Sequence, residues 1–276
     1  MSAQAAAAFR TLHHDGPPLL LPNAWDAASA AALAQAGFTA IGTTSLGVAA
    51  AAGVPDAAGR TRAETLAVAR RLVRLPVLVT VDVEAGFSDR PDDVAALAAE
   101  LDAMGAVGVN LEDARPGAGL APPDQQCDLI RAVKQRVPQL FLNARTDTHW
   151  LAGHPPSLPD TLRRVERYAA AGADGVFVPG LTDPAGIAAV VAAVDVPVNV
   201  LYAPGHHTVD DLAALGVRRV STGSLLFRAA IHAAVSAAER IRDGGTVAGD
   251  LPSYTDVQRL ADPRPRGPEG RSARQQ

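Results

Sequence analysis

Acidic side chains and one arginine follow consecutive short apolar segments of the sequence, at the point where each segment ends. Asp82 and Glu84 follow one segment, Glu112 follows the next and Arg145 the one after. Strand side chains two positions apart face the same way, so Asp82 and Glu84 are predicted to lie together. Neighbouring carboxylates repel each other unless a cation or a proton intervenes, and all-oxygen ligands suit Mg²⁺ or Mn²⁺. Arg145 has the fork geometry that binds a substrate carboxylate.

The simplest alternative is that acidic residues after strands cap the helices that follow. For Asp113 or Asp147 taken alone we favour that interpretation, because acidic side chains are common helix caps. For the four residues above taken together, a shared site at one rim is the better interpretation.

The elements that must position these residues alternate regularly along the chain. Short apolar segments recur at residues 19–21, 40–43, 77–81, 107–111, 140–143, 175–178, 196–201 and 219–222. Helical spacing lies between or after them, for example at 62–73, 91–104, 124–136, 162–171, 185–194, 209–215 and 225–241.

This alternation predicts parallel βα units, either closed into a barrel or open as a doubly wound sheet. The count of eight strands and the length of 276 residues favour an α/β fold of the (β/α)8 TIM barrel type. No glycine-rich dinucleotide fingerprint follows the first strand, which argues against the open sheet. We expect a single domain over residues 1–261 and a flexible tail over 262–276, which is rich in Pro, Arg, Gly and Gln.

Composition excludes several classes of protein. A net charge of -4 argues against a nucleic-acid partner, and no apolar run is long enough for a membrane span. We see no signal peptide and expect a cytoplasmic protein. Cys127 is the only cysteine and is predicted to be a packed residue of a helix. Lys134 is the only lysine, so a Schiff-base aldolase would have to use it, although we place it on the surface of its helix.

The order of several motifs resembles the phosphoenolpyruvate mutase/isocitrate lyase superfamily. The matching segments are Pro22-Asn23-Ala24-Trp25-Asp26, Ala36-Gly37-Phe38, Thr44-Ser45-Leu46-Gly47, Gly53-Val54-Pro55-Asp56, Val81-Asp82-Val83-Glu84-Ala85-Gly86-Phe87, Gly108-Val109-Asn110-Leu111-Glu112-Asp113, Asn143-Ala144-Arg145-Thr146-Asp147 and Ala171-Gly172-Ala173-Asp174. The similarity runs from about residue 5 to 245 in one consistent order. Each motif is weak alone, and their shared order is specific.

The resemblance implies a metal site and an oligomer. It implies bound Mg²⁺ or Mn²⁺, with Asp82 as the direct ligand and with Glu84 and Glu112 reaching the metal mainly through water. It also implies a barrel whose eighth helix is exchanged with a partner subunit, in a dimer or tetramer. An apolar set of residues in 225–241 fits such an exchange, although the segment would also serve as an ordinary eighth helix of its own barrel.

The resemblance also implies a ligand, a 2-oxo acid or its enolate, and the residues that contact it. Arg145 matches the arginine that holds the substrate carboxylate, and Asp56 matches an aspartate near the reacting centre. Asn199 matches a polar substrate contact of the lyases. The segment that binds the carboxylate through hydroxyl and backbone N–H groups is matched by Thr44, Ser45 and Leu46.

The chain departs from the family pattern at three places, the first of which is position 84, where Glu84 stands instead of the commoner Asp. Many of the lyases carry a Lys-Lys/Arg-Cys-Gly-His loop after the glutamate that Glu112 matches, and the mutases carry another lysine-containing loop there. The loop here, residues 113–120, has neither Lys nor Cys. Pro179 stands where the family has Glu or His. The metal and oxo-acid half of the site is therefore matched, and the proton-transfer half is not.

These observations predict a Mg²⁺-dependent lyase acting on a small 2-oxo or 2-hydroxy (di)carboxylic acid, with C–C bond cleavage through an enolate-like intermediate. Candidate groups for proton transfer are Asp56, His206 and His207, although the simplest interpretation of the two histidines is a solvated loop. One alternative is a protein that binds pyruvate, oxaloacetate or 2-oxoglutarate with little catalysis. Another is a mutase or hydrolase of a P–C bond. The predicted partners are a small-molecule 2-oxo acid and further copies of the chain.

Overall fold

Parallel strands alternate with helices in a computed structural model that describes residues 2–115, 117–151, 153, 155–247 and 249–261. The strands are β1 Leu19–Leu21, β2 Asn23–Ala24, β3 Ala40–Thr43, β4 Leu78–Asp82, β5 Gly108–Glu112, β6 Ala114–Arg115, β7 Gly119–Leu120, β8 Phe141–Arg145, β9 Gly175–Val178, β10 Val198–Leu201 and β11 Arg219–Ser221. The helices are α1 Ala3–His14, α2 Ala27–Gln35, α3 Ser45–Ala51, α4 Arg62–Leu72, α5 Pro91–Met104, α6 Pro123–Arg136, α7 Leu158–Ala170, α8 Pro184–Ala193, α9 Val209–Ala214, α10 Leu225–Arg242 and α11 Tyr254–Leu260.

Nine of these strands form a nearly closed parallel barrel, in the order β1-β11-β10-β9-β8-β5-β4-β3-β2. The first predicted strand, residues 19–21, is β1; Pro22 separates it from the additional strand β2, and the two pair with different neighbours. The TIM-type α/β fold is confirmed. The predicted tail, residues 262–276, lies outside the described residues.

Helix α1, which the sequence patterns did not reveal, covers the end of the barrel where the strands begin. The rings of His13 and Phe141 stack with centroids 4.2 Å apart, and Phe9 meets Phe141 edge-on at 5.4 Å. Burial lowers the pKa of His13 to about 3, so this ring is neutral at ordinary pH. An aromatic plug therefore closes this end and leaves the opposite end for chemistry.

A polar layer fills the barrel above this plug. Asn110 Oδ1 accepts hydrogen bonds from Asn143 Nδ2 at 2.9 Å and from Arg219 Nη2 at 3.2 Å. Ser221 Oγ lies 3.2 Å from Arg219 Nε and 3.1 Å from Asn199 Nδ2. Burial lowers the pKa of Arg219 to about 9, which still leaves the guanidinium charged at pH 7. The interior is thus cross-linked by hydrogen bonds directly below the rim.

The single lysine is placed differently from its predicted surface position. Lys134 Nζ donates to Asp174 at 2.6 Å and to the carbonyl oxygens of Pro138 and Leu140, with only 15% of its side chain exposed. This pair lies at the end of the barrel where the strands begin, opposite the carboxyl ends of the strands. Cys127 is buried in the core, as predicted.

No helix in the described part of the chain is both long and apolar enough to span a bilayer.

Candidate active site at the carboxyl ends of the strands

The barrel register brings the predicted acidic residues and arginine to one rim. Asp82 of β4 is level with Asn110 of β5, while Glu112 of β5 is level with Arg145 of β8. Glu84 lies just beyond β4, and its carbonyl oxygen accepts the Glu112 N–H at 2.9 Å. The apolar segments end where the side chains turn polar, but backbone pairing continues through Asp82, Glu112 and Arg145, so these residues are held by the sheet.

Glu84 occupies a strained turn. Its φ is +49°, in the left-handed region that residues other than glycine rarely adopt. Its N–H donates to Asp82 Oδ1 at 3.2 Å, and its carboxylate accepts from the Thr61 hydroxyl and from Gly59 N. Burial raises the pKa of Glu84 above its usual value, against the effect of these donors. The turn therefore ties the loop that precedes α4 to the acidic rim.

Arg145 lies between two carboxylates. Its Nη1 is 2.8 Å from Glu112 Oε2, and its Nε is 2.7 Å from Asp147 Oδ1. Burial alone would lower the pKa of Arg145, but the carboxylates of Asp147, Glu112 and Asp82 overcome that effect and raise it. The pKa of Glu112 is raised by burial and by nearby carboxylates, against the opposing effect of Arg145. The contacts given for Arg145 within the described residues use Nη1 and Nε, so Nη2 is the atom through which we expect a ligand to bind.

The helix-cap interpretation of Asp113 and Asp147 is wrong. Asp113 is fully buried and accepts from Asp147 N at 2.9 Å, Arg164 Nη1 at 3.0 Å and Tyr168 Oη at 2.7 Å. Asp147 in turn receives Arg145 Nε, and burial raises the pKa of Asp147 to about 6. The two aspartates form a chain of contacts that supports Arg145 from behind, with Arg164 supplied from helix α7.

Asp56 lies in the loop between α3 and α4, within electrostatic reach of Asp82. Burial and the Asp82 charge raise its pKa, while a hydrogen bond from the Ser45 hydroxyl opposes the rise. Asp56 Oδ1 is buried and has no hydrogen-bond partner among the described residues. This places one matched residue of the carboxylate-binding segment, Ser45, beside the predicted aspartate.

Close packing sets the course of that segment. Thr44 is buried at the start of α3, and Leu46 lies in the first turn of the same helix. A Cβ at Gly47 would lie 2.7 Å from Trp25 Cβ and 2.8 Å from Thr44 Cγ2. Glycine at this position therefore lets α3 start directly against β2.

Three predicted residues are not brought into the cluster. Asn199 lies in the polar layer and is held by Ser221. His207 Nε2 pairs with Thr182 O at 2.7 Å, and His206 is exposed in the same loop. Among the described residues, neither histidine has a contact given with the acidic rim; exposed His206 fits the solvated-loop interpretation, whereas His207 is half-buried.

The donor set at the rim is chemically suited to a hard divalent cation. The pKa values of Asp56, Glu84 and Glu112 are all raised by burial first and by one another's charges or that of Asp82. No three His, Cys, Asp or Glu side chains in the described ranges converge on one point, however. The arrangement fits a site with one direct carboxylate, Asp82, surrounded by others that act through water, as Mg²⁺ commonly requires.

Several residues near the rim were missed by the motif reading. Thr61 and Gln126 are buried polar residues, and Arg115 has only 10% of its side chain exposed. Arg115 lies three residues after Glu112, in the hairpin of β6 and β7. Of these residues, only Arg115 had a signal in the sequence, as a cation three residues after a rim carboxylate.

The fold and the rim define a parallel barrel whose mouth carries carboxylates and an arginine. The family model of phosphoenolpyruvate phosphomutase matches residues 9–242, so the chain belongs to this family, within the phosphoenolpyruvate mutase/isocitrate lyase superfamily. The superfamily consists of enzymes, among them lyases, mutases and hydrolases.

Similar proteins span most of the chain. An uncharacterized protein of Mycobacterium tuberculosis is 45% identical over 255 residues, which are 92% of this chain and 96% of the relative. The 2-methylisocitrate lyase of Escherichia coli is 29% identical over 87% of this chain and 85% of its own. The solved structure of phosphonopyruvate hydrolase, in complex with oxalate and Mg²⁺, has a TM-score of 0.82, with 25% identity over 93% of this chain and 94% of that one.

Proposed function

We propose that the protein is a Mg²⁺-dependent (or Mn²⁺-dependent) carbon–carbon lyase of small 2-oxo or 2-hydroxy (di)carboxylic acids. The observation that carries this proposal is the rim, where Arg145, whose ion pairs within the described residues use Nη1 and Nε, stands among Asp82, Glu84 and Glu112. Arginine suits a carboxylate, and the acids suit a divalent cation. The oxalate and Mg²⁺ bound by phosphonopyruvate hydrolase support the same ligand class.

The residues at the rim have separate proposed roles. Arg145 binds the substrate carboxylate through Nη2, with Thr44, Ser45 and Leu46 beside it, and Asp147 keeps the guanidinium oriented. When bound at Asp82, Mg²⁺ supplies a positive charge that polarises the keto or hydroxyl oxygen of the substrate.

Asp56 is the proposed proton-transfer residue. In a retro-aldol cleavage a base takes the hydroxyl proton of the substrate, and the hydroxyl carbon becomes a carbonyl. The electron pair of the broken C–C bond passes to the other fragment as an enolate-like carbanion, which then takes up a proton. Asp56 offers the unpartnered oxygen Oδ1, and its raised pKa brings proton exchange closer to neutral pH. Asn199 remains a proposed substrate contact, reached by a ligand that extends down to the polar layer.

A turnover screen tests the reaction class. We expect Mg²⁺-dependent turnover of at least one of 2-methylisocitrate, isocitrate, oxaloacetate and phosphonopyruvate, followed by mass spectrometry of the products. Asp56→Asn should lower kcat by about 10²-fold or more, since general acid–base groups contribute at that scale. Metal-dependent binding of these acids with no turnover would overturn the lyase and favour the second candidate.

That second candidate is a 2-oxo-acid-binding protein with little catalysis. The observation in its favour is the short hairpin of β6 and β7, which stands where the resemblance places a Lys-containing or Cys-containing loop. Turnover of phosphonopyruvate alone would instead favour the P–C bond mutase or hydrolase.

We also propose that the protein is a homo-oligomer built through α10. This helix of 18 residues has no buried residue, and it exposes Ile231, Val235 and Ile241 by 52%, 51% and 61%. Its first turn packs on its own barrel, where the ring centroids of Phe227 and Trp25 lie 5.3 Å apart. An apolar helix face of this kind gains stability when a second copy covers it.

A further inference from the structure

A small cleft opens beside the two buried glutamates of the rim. Its volume is about 170 Å³, below the roughly 300–1,000 Å³ that is typical for drug-sized ligands, so it suits a small acid. Besides Glu84 and Glu112, its lining includes Gly59, Phe87, Ser88, Asp89 and Arg115. Arg115 is the positively charged residue in this lining. A ligand that binds beside the glutamates therefore has a guanidinium within the same cleft.

Backbone and buried side-chain acceptors hold that guanidinium in place. Arg115 Nη1 donates to Glu112 O at 3.1 Å and to Ala114 O at 3.2 Å, and Nη2 donates to Gln126 Oε1 at 3.0 Å. Gln126 is fully buried, and its Nε2 donates to the carbonyl oxygens of Leu111 and Glu112. The guanidinium is thus oriented before any ligand arrives, which lowers the entropic cost of binding.

The charge partner of Arg115, in contrast, is exchangeable. Arg115 Nε lies 2.9 Å from Asp89 Oδ1, and 66% of the Asp89 side chain is exposed. Ion pairs with a partner this exposed contribute little to stability, because water screens them. An oxyanion on a ligand can therefore replace Asp89 and bind the fork, while Asp89 turns to solvent.

We propose that Arg115 is a specificity-determining residue: it binds the second acidic group, a carboxylate or a phosphonate, of a 2-oxo acid substrate and so sets the preference of the site for such acids. This inference rests on the proposed function, because the first carboxylate and the oxo group are taken to bind at the rim. The negative charges of Glu84 and Glu112 in the same cleft make this preference dependent on the divalent cation that offsets them.

Competition against oxalate in the presence of Mg²⁺ tests the inference with matched ligands. 2-Oxobutyrate is compared with oxaloacetate and phosphonopyruvate, in which the terminal methyl is replaced by a carboxylate or a phosphonate. We expect the wild-type protein to bind a doubly acidic ligand roughly tenfold or more tightly than 2-oxobutyrate, the scale of a hydrogen bond to a charged group. If oxaloacetate loses more affinity in Arg115→Met, the second group is a carboxylate; if phosphonopyruvate loses more, it is a phosphonate.

The variants separate a binding role from a structural one. Arg115→Met should remove the preference and leave 2-oxobutyrate binding within about twofold, and Arg115→Lys should fall between because it keeps the charge without the fork. Asp89→Ala removes the competing carboxylate, leaves Arg115 intact and should strengthen binding of the doubly acidic ligand by about 1.5- to 5-fold. Arg62→Met is the matched control, since Arg62 forms an exposed pair with Glu100 at 3.0 Å.

Each contrary result refutes a different part of the argument. A wild-type preference that persists in Arg115→Met, or an equal loss for all three ligands, overturns the role of Arg115. A wild-type protein that binds 2-oxobutyrate but shows no preference overturns this inference and leaves the proposed function standing. Failure to bind any of the three with Mg²⁺ overturns both. Should Arg115→Met fail to fold, Asp89→Ala decides, and unchanged or weaker binding there refutes the competition.

Discussion

Removing the carboxylate of Asp113 should destabilise the whole barrel, although this residue is not itself a proposed ligand contact. Asp113→Ala takes away the acceptor of Arg164 Nη1 at 3.0 Å, of Tyr168 Oη at 2.7 Å and of Asp147 N at 2.9 Å. All of these groups lie in the buried region behind Arg145. The variant therefore leaves the buried guanidinium of Arg164 without the fully buried one of its two carboxylate partners.

The magnitude follows from the burial of the two partners. Breaking a buried ion pair by removing one partner costs about 3–5 kcal/mol, because an uncompensated charge stays behind. Arg164 has 7% of its side chain exposed and Asp113 none. Arg164 keeps Asp160 Oδ2 at 3.1 Å and the Ala121 carbonyl at 2.9 Å, so we expect a loss of about 3 kcal/mol of the free energy of unfolding.

Urea-induced unfolding at pH 7, followed by circular dichroism, measures this loss. Asp128→Ala is the matched control, since Asp128 pairs with Arg131 at 2.8 Å with 62% of its side chain exposed, and it should cost less than about 1 kcal/mol. Arg164→Met added to Asp113→Ala should restore part of the loss, because the unpaired charge is gone. A cost for Asp113→Ala no larger than that of Asp128→Ala would refute the reasoning.

Three further outcomes follow from the structure. Burial raises the pKa of Glu84 above its usual value, so the folded metal-free protein binds a proton at Glu84 more tightly than the unfolded chain does. The Tm of the metal-free protein should therefore fall as the pH rises through the pKa that Glu84 has in the folded state. Glu84→Gln should flatten this dependence of Tm on pH, and an unchanged dependence would count against the role of Glu84. Lys134→Met should lower the free energy of unfolding in urea by about 2 kcal/mol, the scale of a hydrogen bond to a charged group, because Asp174 loses the ammonium at 2.6 Å but keeps Arg10 at 2.5 Å and the Leu142 N–H at 2.8 Å. Borohydride should trap no pyruvate on the wild-type lysine. Light scattering at micromolar concentration should show an oligomer that Val235→Asp shifts to a smaller mass; a monomeric wild-type protein would contradict the role of α10.

The barrel was predictable because its periodic signal is repeated eight times. Strand β9 and the helix Pro91–Met104 match their predicted limits, whereas β4, β5 and β8 are shifted by one or two residues toward the carboxyl end. The later ends of these strands have one cause. An apolar run stops where side chains turn polar, but the backbone ladder continues through the functional residue that follows.

The rim carboxylates and Arg145 were also predictable, because they follow strands directly and share a motif order with the family. The buried residues that hold Arg145 in place were not predictable. Asp113 is bound by Arg164, 51 residues later, and sequence offers no local sign of such a pair. The interior charge of Arg219 and the plug formed by α1 depend in the same way on contacts made across the barrel.

Calorimetric titration of oxalate tests the central claim most directly, namely that the rim around Asp82 binds a divalent cation and an oxo acid together. We expect oxalate to bind the wild-type protein only when Mg²⁺ is present, and Asp82→Ala to abolish that binding while Asp128→Ala retains it. Circular dichroism shows whether each variant is folded. Oxalate binding that needs no metal, or that persists unchanged in folded Asp82→Ala, would contradict the account.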